Sequence, residues 1–359
     1  MVITKSDDLF KILKNIQKES KTPKCSTVVR NVQFIKNKGI VFKFSENIRY
    51  LYYYNTDVDF TTAVSNFVIE AILACFETAD EVSINYADFG GVSINGCINV
   101  DSTDENVEFV DINNDLKFDL IFTKEQFDKL ENDFIYTIGN NFYNPKTTDT
   151  IGFAVNNGEL YKLRAGINIY SISKFDATIN NATMEQNYGH NNFISLMPRK
   201  VFDLVTGDTV YIKIQDANEN TIIKTNKMHI VYNIAKMNTG VFLERLKKFN
   251  SDSADNGVKI PNALKNLKLN NFVKNYSEES EDNSVVVNLA DSTVSLFNSC
   301  NLNFQDDQQC DYKISTNLQA FSFLLDNISE DSYIKEMEDG SCYYIKNNEV
   351  IYFFVKNNI

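Results

Sequence analysis

The stretch Asp311-Tyr-Lys-Ile-Ser-Thr-Asn-Leu-Gln-Ala-Phe-Ser-Phe-Leu-Leu-Asp-Asn-Ile328 leads into three strand-like runs, Tyr333–Met337, Cys342–Ile345 and Val350–Val355. Tyr312 and Ile314 read as a short strand, and Ser315-Thr316 as a helix start signal. Leu318, Phe321, Leu324, Leu325 and Ile328 then fall on one face of a 3.6-residue period. The whole is a strand, an amphipathic helix and three strands. That unit recurs along the chain.

Working backwards from it, five earlier copies can be read. The first has Val2-Ile-Thr4, Ser6 as cap, a helix over Leu9–Lys18 and strands Val28–Ile35, Ile40–Phe44 and Arg49–Tyr54. In the second, Val58-Asp-Phe60 precedes a cap at Thr61 or Thr62, a helix through Ala63–Phe76, and strands Glu81–Tyr86, Gly91–Ile94 and Ile98–Val100. The third runs from Phe118–Phe122 through the cap Thr123 and helix Gln126–Ile135 to Thr150–Val155, Leu160–Arg164 and Ile169–Ser173. Its Asn156-Asn-Gly158 predicts a hairpin turn. The fourth has Phe193–Met197, Pro198, a short helix Arg199–Thr206 ending at Gly207, and strands Val210–Gln215, Thr221–Thr225 and Met228–Asn233. The fifth has Val258–Ile260, Pro261, a helix to about Lys274, and strands Ser284–Ala290 and Thr293–Asn298.

Six units in 359 residues give about sixty residues each, two to a domain. The acidic segment Asp101–Asp115, where Val107–Val110 offers one more strand, and the segment Thr239–Ser253 read as crossings. The expectation is an α+β chain of three tandem domains, 1–115, 116–250 and 251–359. Each lays two helices across its sheets, and end-to-end strand pairing curves the array with helices inside and sheets outside. Exposed edges at its two ends favour closure into a ring by self-association.

Hydrophobic content of 43% with 23% charged residues is that of a globular chain. The first residues carry no apolar secretory core, and the best spanning candidate, Phe67–Phe76, is short and holds Glu70, so a cytoplasmic protein is expected. Six cysteines without CxxC spacing and two histidines, His190 and His229, argue against a zinc site or a disulfide framework. No metal and no cofactor is expected. The net charge of −13 argues against a protein that grips nucleic acid over its general surface. It leaves room for one that encloses DNA, which needs only a local basic lining. Lys11, Lys14 and Lys18, at i, i+3 and i+7, form such a face opposite Leu9, Leu13 and Ile16.

No P-loop, HExxH, GxSxG or Rossmann glycine pattern is present, so the chain does not read as an enzyme. A β-rich structural or adhesion protein of a virion is the rival reading. It predicts higher-order assembly and no basic lumen.

The chain resembles the bacterial DNA polymerase sliding clamp, the β clamp. The resemblance spans the whole length and is clearest at Phe193-Ile-Ser-Leu-Met-Pro-Arg-Lys-Val-Phe-Asp-Leu204, at Thr316-Asn-Leu-Gln-Ala-Phe-Ser-Phe-Leu-Leu-Asp326 and at the final strand. It implies a ring-shaped homodimer that encircles duplex DNA and tethers a replicative polymerase, with a clamp loader as a further partner. It also implies a DNA-facing set of Lys11, Lys14, Lys18, Lys124, Arg199, Lys200, Lys265, Lys268 and Lys274, with Ser65, Asn66, Asn317, Gln319 and Ser322 on the polar faces of the second and sixth helices. A pocket for partner peptides would comprise Ile167, Ile169, Tyr170, Leu243, Lys247, Phe323, Phe353 and Val355. The family's T-D-G-H-R-L turn is replaced here by Ala165-Gly-Ile-Asn-Ile-Tyr170, which matches by position only. The divergence and the Asn/Lys-rich composition suit a phage-like member. The last helix should then face the DNA channel, and Phe353 and Val355 should border the partner groove.

Overall fold

The computed structural model describes residues 1–20, 28–45, 48–104, 116–132, 150–156, 158–165, 169–179, 193–198, 200–214, 220–233, 257–269, 271–272, 284–297, 300–305, 310–329, 331–347 and 350–357. Among them the elements fall into six successive β-α-β-β-β units. The first is β1 (Val2–Thr4), α1 (Asp8–Ser20), β2 (Val29–Ile35), β3 (Gly39–Phe44) and β4 (Ile48–Tyr53). The second is β5 (Thr62–Ser65), α2 (Phe67–Cys75), β6 (Glu81–Tyr86), β7 (Val92–Ile94) and β8 (Ile98–Val100). The third is β9 (Leu120–Thr123), α3 (Lys124–Asn132), β10 (Thr150–Asn156), β11 (Glu159–Ala165) and β12 (Ile169–Phe175), followed by the extra β13 (Thr178–Ile179). The fourth is β14 (Phe193–Pro198), α4 (Lys200–Leu204), β15 (Thr209–Lys213), β16 (Thr221–Lys224) and β17 (Met228–Tyr232). The fifth is β18 (Val258–Lys259), α5 (Asn262–Asn266), β19 (Ser284–Asn288), β20 (Thr293–Leu296) and β21 (Cys300–Asn303). The sixth is β22 (Lys313–Asn317), α6 (Leu318–Asn327), β23 (Tyr333–Glu336), β24 (Cys342–Asn347) and β25 (Val350–Val355).

Neighbouring units exchange their first strands. β1 of the first pairs with β6 of the second, and β5 of the second returns to pair with β2 of the first. The fifth and sixth do the same through β18 with β23 and β22 with β19. β9 of the third pairs with β15 of the fourth. Each lone strand thus completes the sheet of its neighbour, which satisfies backbone groups that an isolated unit would leave bare.

The chain divides into two compact units, Met1–Asn132 with Asp176–Lys236, and Asp133–Phe175 with Met237–Ile359. In the first, a nine-stranded sheet runs β13-β9-β15-β16-β17-β4-β3-β2-β5, and a smaller one runs β1-β6-β7-β8. Its central seam is β17 against β4, where Ile230 lies opposite Leu51 and His229 opposite Tyr52. In the second, β10-β11-β12-β25-β24-β23-β18 lie side by side, with β21-β20-β19-β22 as a separate sheet. The core of the second unit gathers α6 residues Phe321 and Leu324 with Val285, Val287, Ile314, Tyr343 and Phe354. No helix among the described residues is long and apolar enough to cross a membrane.

Local signals set most element ends. Thr123 Oγ1 accepts from the Gln126 backbone N–H at 3.1 Å while Gln126 Oε1 accepts from the Thr123 N–H at 2.9 Å, a capping box that opens α3 at Lys124, directly after the cap read from the sequence. Four expectations need correction. Thr62–Ser65 is strand β5 rather than the start of a helix, because its hydrogen bonds go to β2, and α2 begins at Phe67. α6 is capped by Asn317, whose side chain accepts from Gln319 and Ala320, while Ser315 and Thr316 remain in β22 opposite Val286 and Val285. α5 stops at Asn266, and the third strand of its unit, β21, was not anticipated. The expected end of the third helix at Ile135, Val107–Val110 and His190 lie outside the described residues.

Candidate nucleic-acid interface

α1 is the basic element. Asp7 accepts from the Thr4 N–H through Oδ2 at 2.7 Å, and its carbonyl accepts from Phe10 N at 3.1 Å, starting the helix. Asp8 in the first turn and Lys18 in the last complement the helix dipole. Leu9, Ile12, Leu13 and Ile16 are buried, whereas Lys11, Lys14 and Lys18 are all exposed. Lys14 Nζ lies 4.7 Å from the centre of the Phe10 ring, and Phe10 in turn packs on Phe76. Lys11 approaches Asp8 at 3.5 Å, a loose contact that leaves its amine in water.

α1 packs against α2 on one side and α4 on the other, and α4 meets α3. Phe127 of α3 stacks on Phe202 of α4 with ring centres 4.6 Å apart. The α1–α4 contact is reciprocal and polar: Asn15 Nδ2 donates to the Asp203 carbonyl, and Lys200 Nζ donates to the Asn15 carbonyl, each at 2.6 Å. Lys200, expected to face DNA, is therefore buried between helices, its amine drawn in to an acceptor that the fold supplies. Lys124 is half-buried and pairs with Asp128 one turn on at 2.5 Å. In the second unit Lys265 Nζ donates to the carbonyls of Ile328 and Ser329, at 3.0 and 2.6 Å, and so ties α5 to the end of α6. Lys268 is exposed. Arg199 and Lys274 lie outside the described residues.

The polar faces expected of the second and sixth helices fare differently. Ser65 and Asn66 are exposed, but Ser65 ends strand β5 and Asn66 is the residue before α2, so neither lies on the face of the second helix. Gln319 and Ser322 are buried, as is every residue of α6 from Leu318 to Leu325, so this helix presents no continuous polar face.

Lys227 escaped the sequence reading. Its amine contacts Asp8 at 2.6 Å and holds that carboxyl below the ordinary carboxylate value, while Asp8 raises the Lys227 amine in return. Nothing local in the sequence couples positions so far apart.

Of the predicted partner pocket, the structure describes the positions of Ile169 and Tyr170 on β12, Phe323 on α6, and Phe353 and Val355 on β25. β12 pairs with β25, setting Ile169 opposite Phe354 and Tyr170 opposite Phe353. Side chains alternate along a strand, so Ile169 and Phe354 share one face and Phe353 takes the other. Ile169 and Phe323 join the core of the second unit, Phe323 meeting Tyr352 edge-on. Phe353 is also buried, beside Tyr344. Val355 alone among these four is exposed, at 41%. Its carbonyl accepts from Thr316 Oγ1 at 2.6 Å, and the next residues are held by Lys356 N to the Ser341 carbonyl and Asn357 N to the Ser315 carbonyl. Ile167, Leu243 and Lys247 lie outside the described residues.

Six β-α-β-β-β units spanning the whole chain find a counterpart in solved structures. The DNA polymerase III beta chain of Streptococcus pneumoniae superposes over 100% of this chain and 99% of its own, with a TM-score of 0.66 at 14% identity. The chain has the fold of a bacterial DNA sliding clamp. The beta subunit of Pseudomonas aeruginosa gives a TM-score of 0.69 at 10% identity with both chains fully covered. The Helicobacter pylori beta clamp, solved bound to a DNA ligase peptide, gives 0.62 at 12% identity over 100% of this chain and 99% of its own. No family model matches the sequence, and no curated protein does. The clamp fold is thus reached with few of the same letters, because the pattern of buried faces sets it.

Proposed function

We propose that the protein is a DNA sliding clamp, a processivity factor without chemistry of its own that encircles duplex DNA and tethers a replicative polymerase. The observation that carries this reading is the clamp fold over the full chain together with the exposed Lys11, Lys14 and Lys18 on α1. Three domains, 1–115, 116–250 and 251–359, would each hold one pair of strand-exchanging units, and self-association, as a dimer, would close the ring. The overall charge of −13 repels DNA from the general surface and favours threading over adsorption. A few lysine–phosphate contacts without base readout hold the duplex loosely enough to slide. Polymerase and clamp loader would dock through linear motifs near the end of β25, where Val355 offers apolar surface. The setting is the cytoplasm of a bacterial cell, with the gene carried by the host or by a phage.

The test is retention on nicked circular DNA after loading. A clamp stays on the circle and is lost when the circle is linearised. Equal loss from both substrates rejects the proposal.

A further inference from the structure

Two cysteines of the first unit meet at the end of α2. Cys75 is the last residue of the helix and is buried. α2 packs against both β7 and β8, and Cys97 sits in the turn that joins those strands. That turn is fixed in place. Asn95 and Gly96 take φ values of 49° and 69°, and Asn95 Oδ1 accepts from the Ser83 N–H at 2.8 Å. Cys97 N donates to the Ile94 carbonyl at 3.0 Å, and its sulfur lies 3.5 Å from the same oxygen. The Cys97 side chain is exposed and interacts directly with the Cys75 thiol. One thiol open to solvent, with a buried one beside it on an anchored turn, is the arrangement of an attacking and a resolving cysteine.

We propose that Cys75 and Cys97 form a reversible disulfide that locks α2 to the β7–β8 hairpin, through exchange with a small-molecule disulfide. The Cys97 thiolate attacks one sulfur of the reagent, whose S–S bond breaks and whose other half leaves as a thiolate that takes up the proton Cys97 lost. Cys75 then attacks the Cys97 sulfur of the mixed disulfide, releases the second thiol and completes the protein disulfide. Two protein thiols are oxidised, and one disulfide is reduced to two thiols. Cys97 is exposed and meets the reagent first, while the buried Cys75 reaches only the Cys97 sulfur, which makes Cys75 the resolving partner. Burial and the nearby Cys97 also push the Cys75 thiol up. The other described cysteines, Cys300, Cys310 and Cys342, belong to the second unit. The proposal does not depend on the clamp reading.

The full-length protein is incubated with glutathione disulfide, quenched by alkylation and mapped without reduction. A linked peptide pair joining Cys75 to Cys97 is expected, reversed by excess dithiol. Cys97→Ser should abolish it, and Cys75→Ala should leave a stable glutathione adduct on Cys97. Cys75→Ser serves as a second variant should the alanine form fail to fold. A wild-type protein that keeps the adduct on Cys97 with Cys75 still alkylatable after unfolding would overturn the proposal, as would pairing of either cysteine with a different one.

Discussion

Lys227 Nζ lies 2.6 Å from an Asp8 carboxylate oxygen, an ion pair between residues 219 apart in sequence. It ties the first turn of α1 to the β16–β17 turn, beside the seam where β4 meets β17. The Asp8 carboxyl is lowered first by the hydrogen bond from Lys227, so its contribution is present above the unfolded value near 3.8 and is lost as pH falls through the folded one. The Lys227 amine is raised first by the hydrogen bond to Asp8, so its contribution is present below 10.5 and is lost as pH rises through its folded value. Asp8→Asn should cost about 0.5–1 kcal/mol at neutral pH. In urea unfolding the gap between wild type and variant should close as pH is lowered. A gap that persists in acid would assign the effect to packing instead.

The exposed lysines of α1 should govern salt dependence. Replacing Lys11, Lys14 and Lys18 with alanine should flatten the slope of log affinity against log salt on duplex DNA by about 0.9 per lost contact. Thermal unfolding should stay nearly unchanged, because all three side chains are exposed.

Lys200 provides the contrast. Its buried amine donates to the Asn15 carbonyl, so Lys200→Met should lower stability by about 1–3 kcal/mol. Salt dependence on DNA should not move. A flattened slope with unchanged stability would return Lys200 to the DNA-facing set.

Phe353 and Val355 should separate in the same way. Phe353→Ala empties a buried site beside Tyr344 and should cost about 3–5 kcal/mol in chemical unfolding. Val355→Asp changes an exposed position, with a stability effect within about 0.5 kcal/mol. It should nevertheless weaken capture on an immobilised clamp-binding peptide. Undiminished capture by the aspartate variant would move the docking surface away from β25.

The six-unit order was legible because helix and strand periods are local properties. Leu9, Leu13 and Ile16 on one side of α1, and Lys11, Lys14 and Lys18 on the other, read the same in sequence and in structure. Thr123 and Gln126 announced their helix through a contact three residues long. The misreadings were of another kind. Thr62–Ser65 has the letters of a cap and strand-like pairing, and only β2 alongside decides between them. Lys200 reads in sequence like the exposed lysines of α1, but Asn15, 185 positions away, offers its amine a buried acceptor.

The opening stretch divides along the same line. Its strand, helix and three strands followed from the 3.6- and 2-residue periods of Asp311–Val355, since each residue's turn angle and nearest neighbours set them. What covers each face did not follow. Gln319 and Ser322 carry polar groups on an amphipathic helix, yet α6 is buried from Leu318 to Leu325. Phe353 and Val355 share a strand face, yet one is sealed and the other open. Burial depends on residues brought together from distant parts of the chain, and that is a property of the tertiary structure alone.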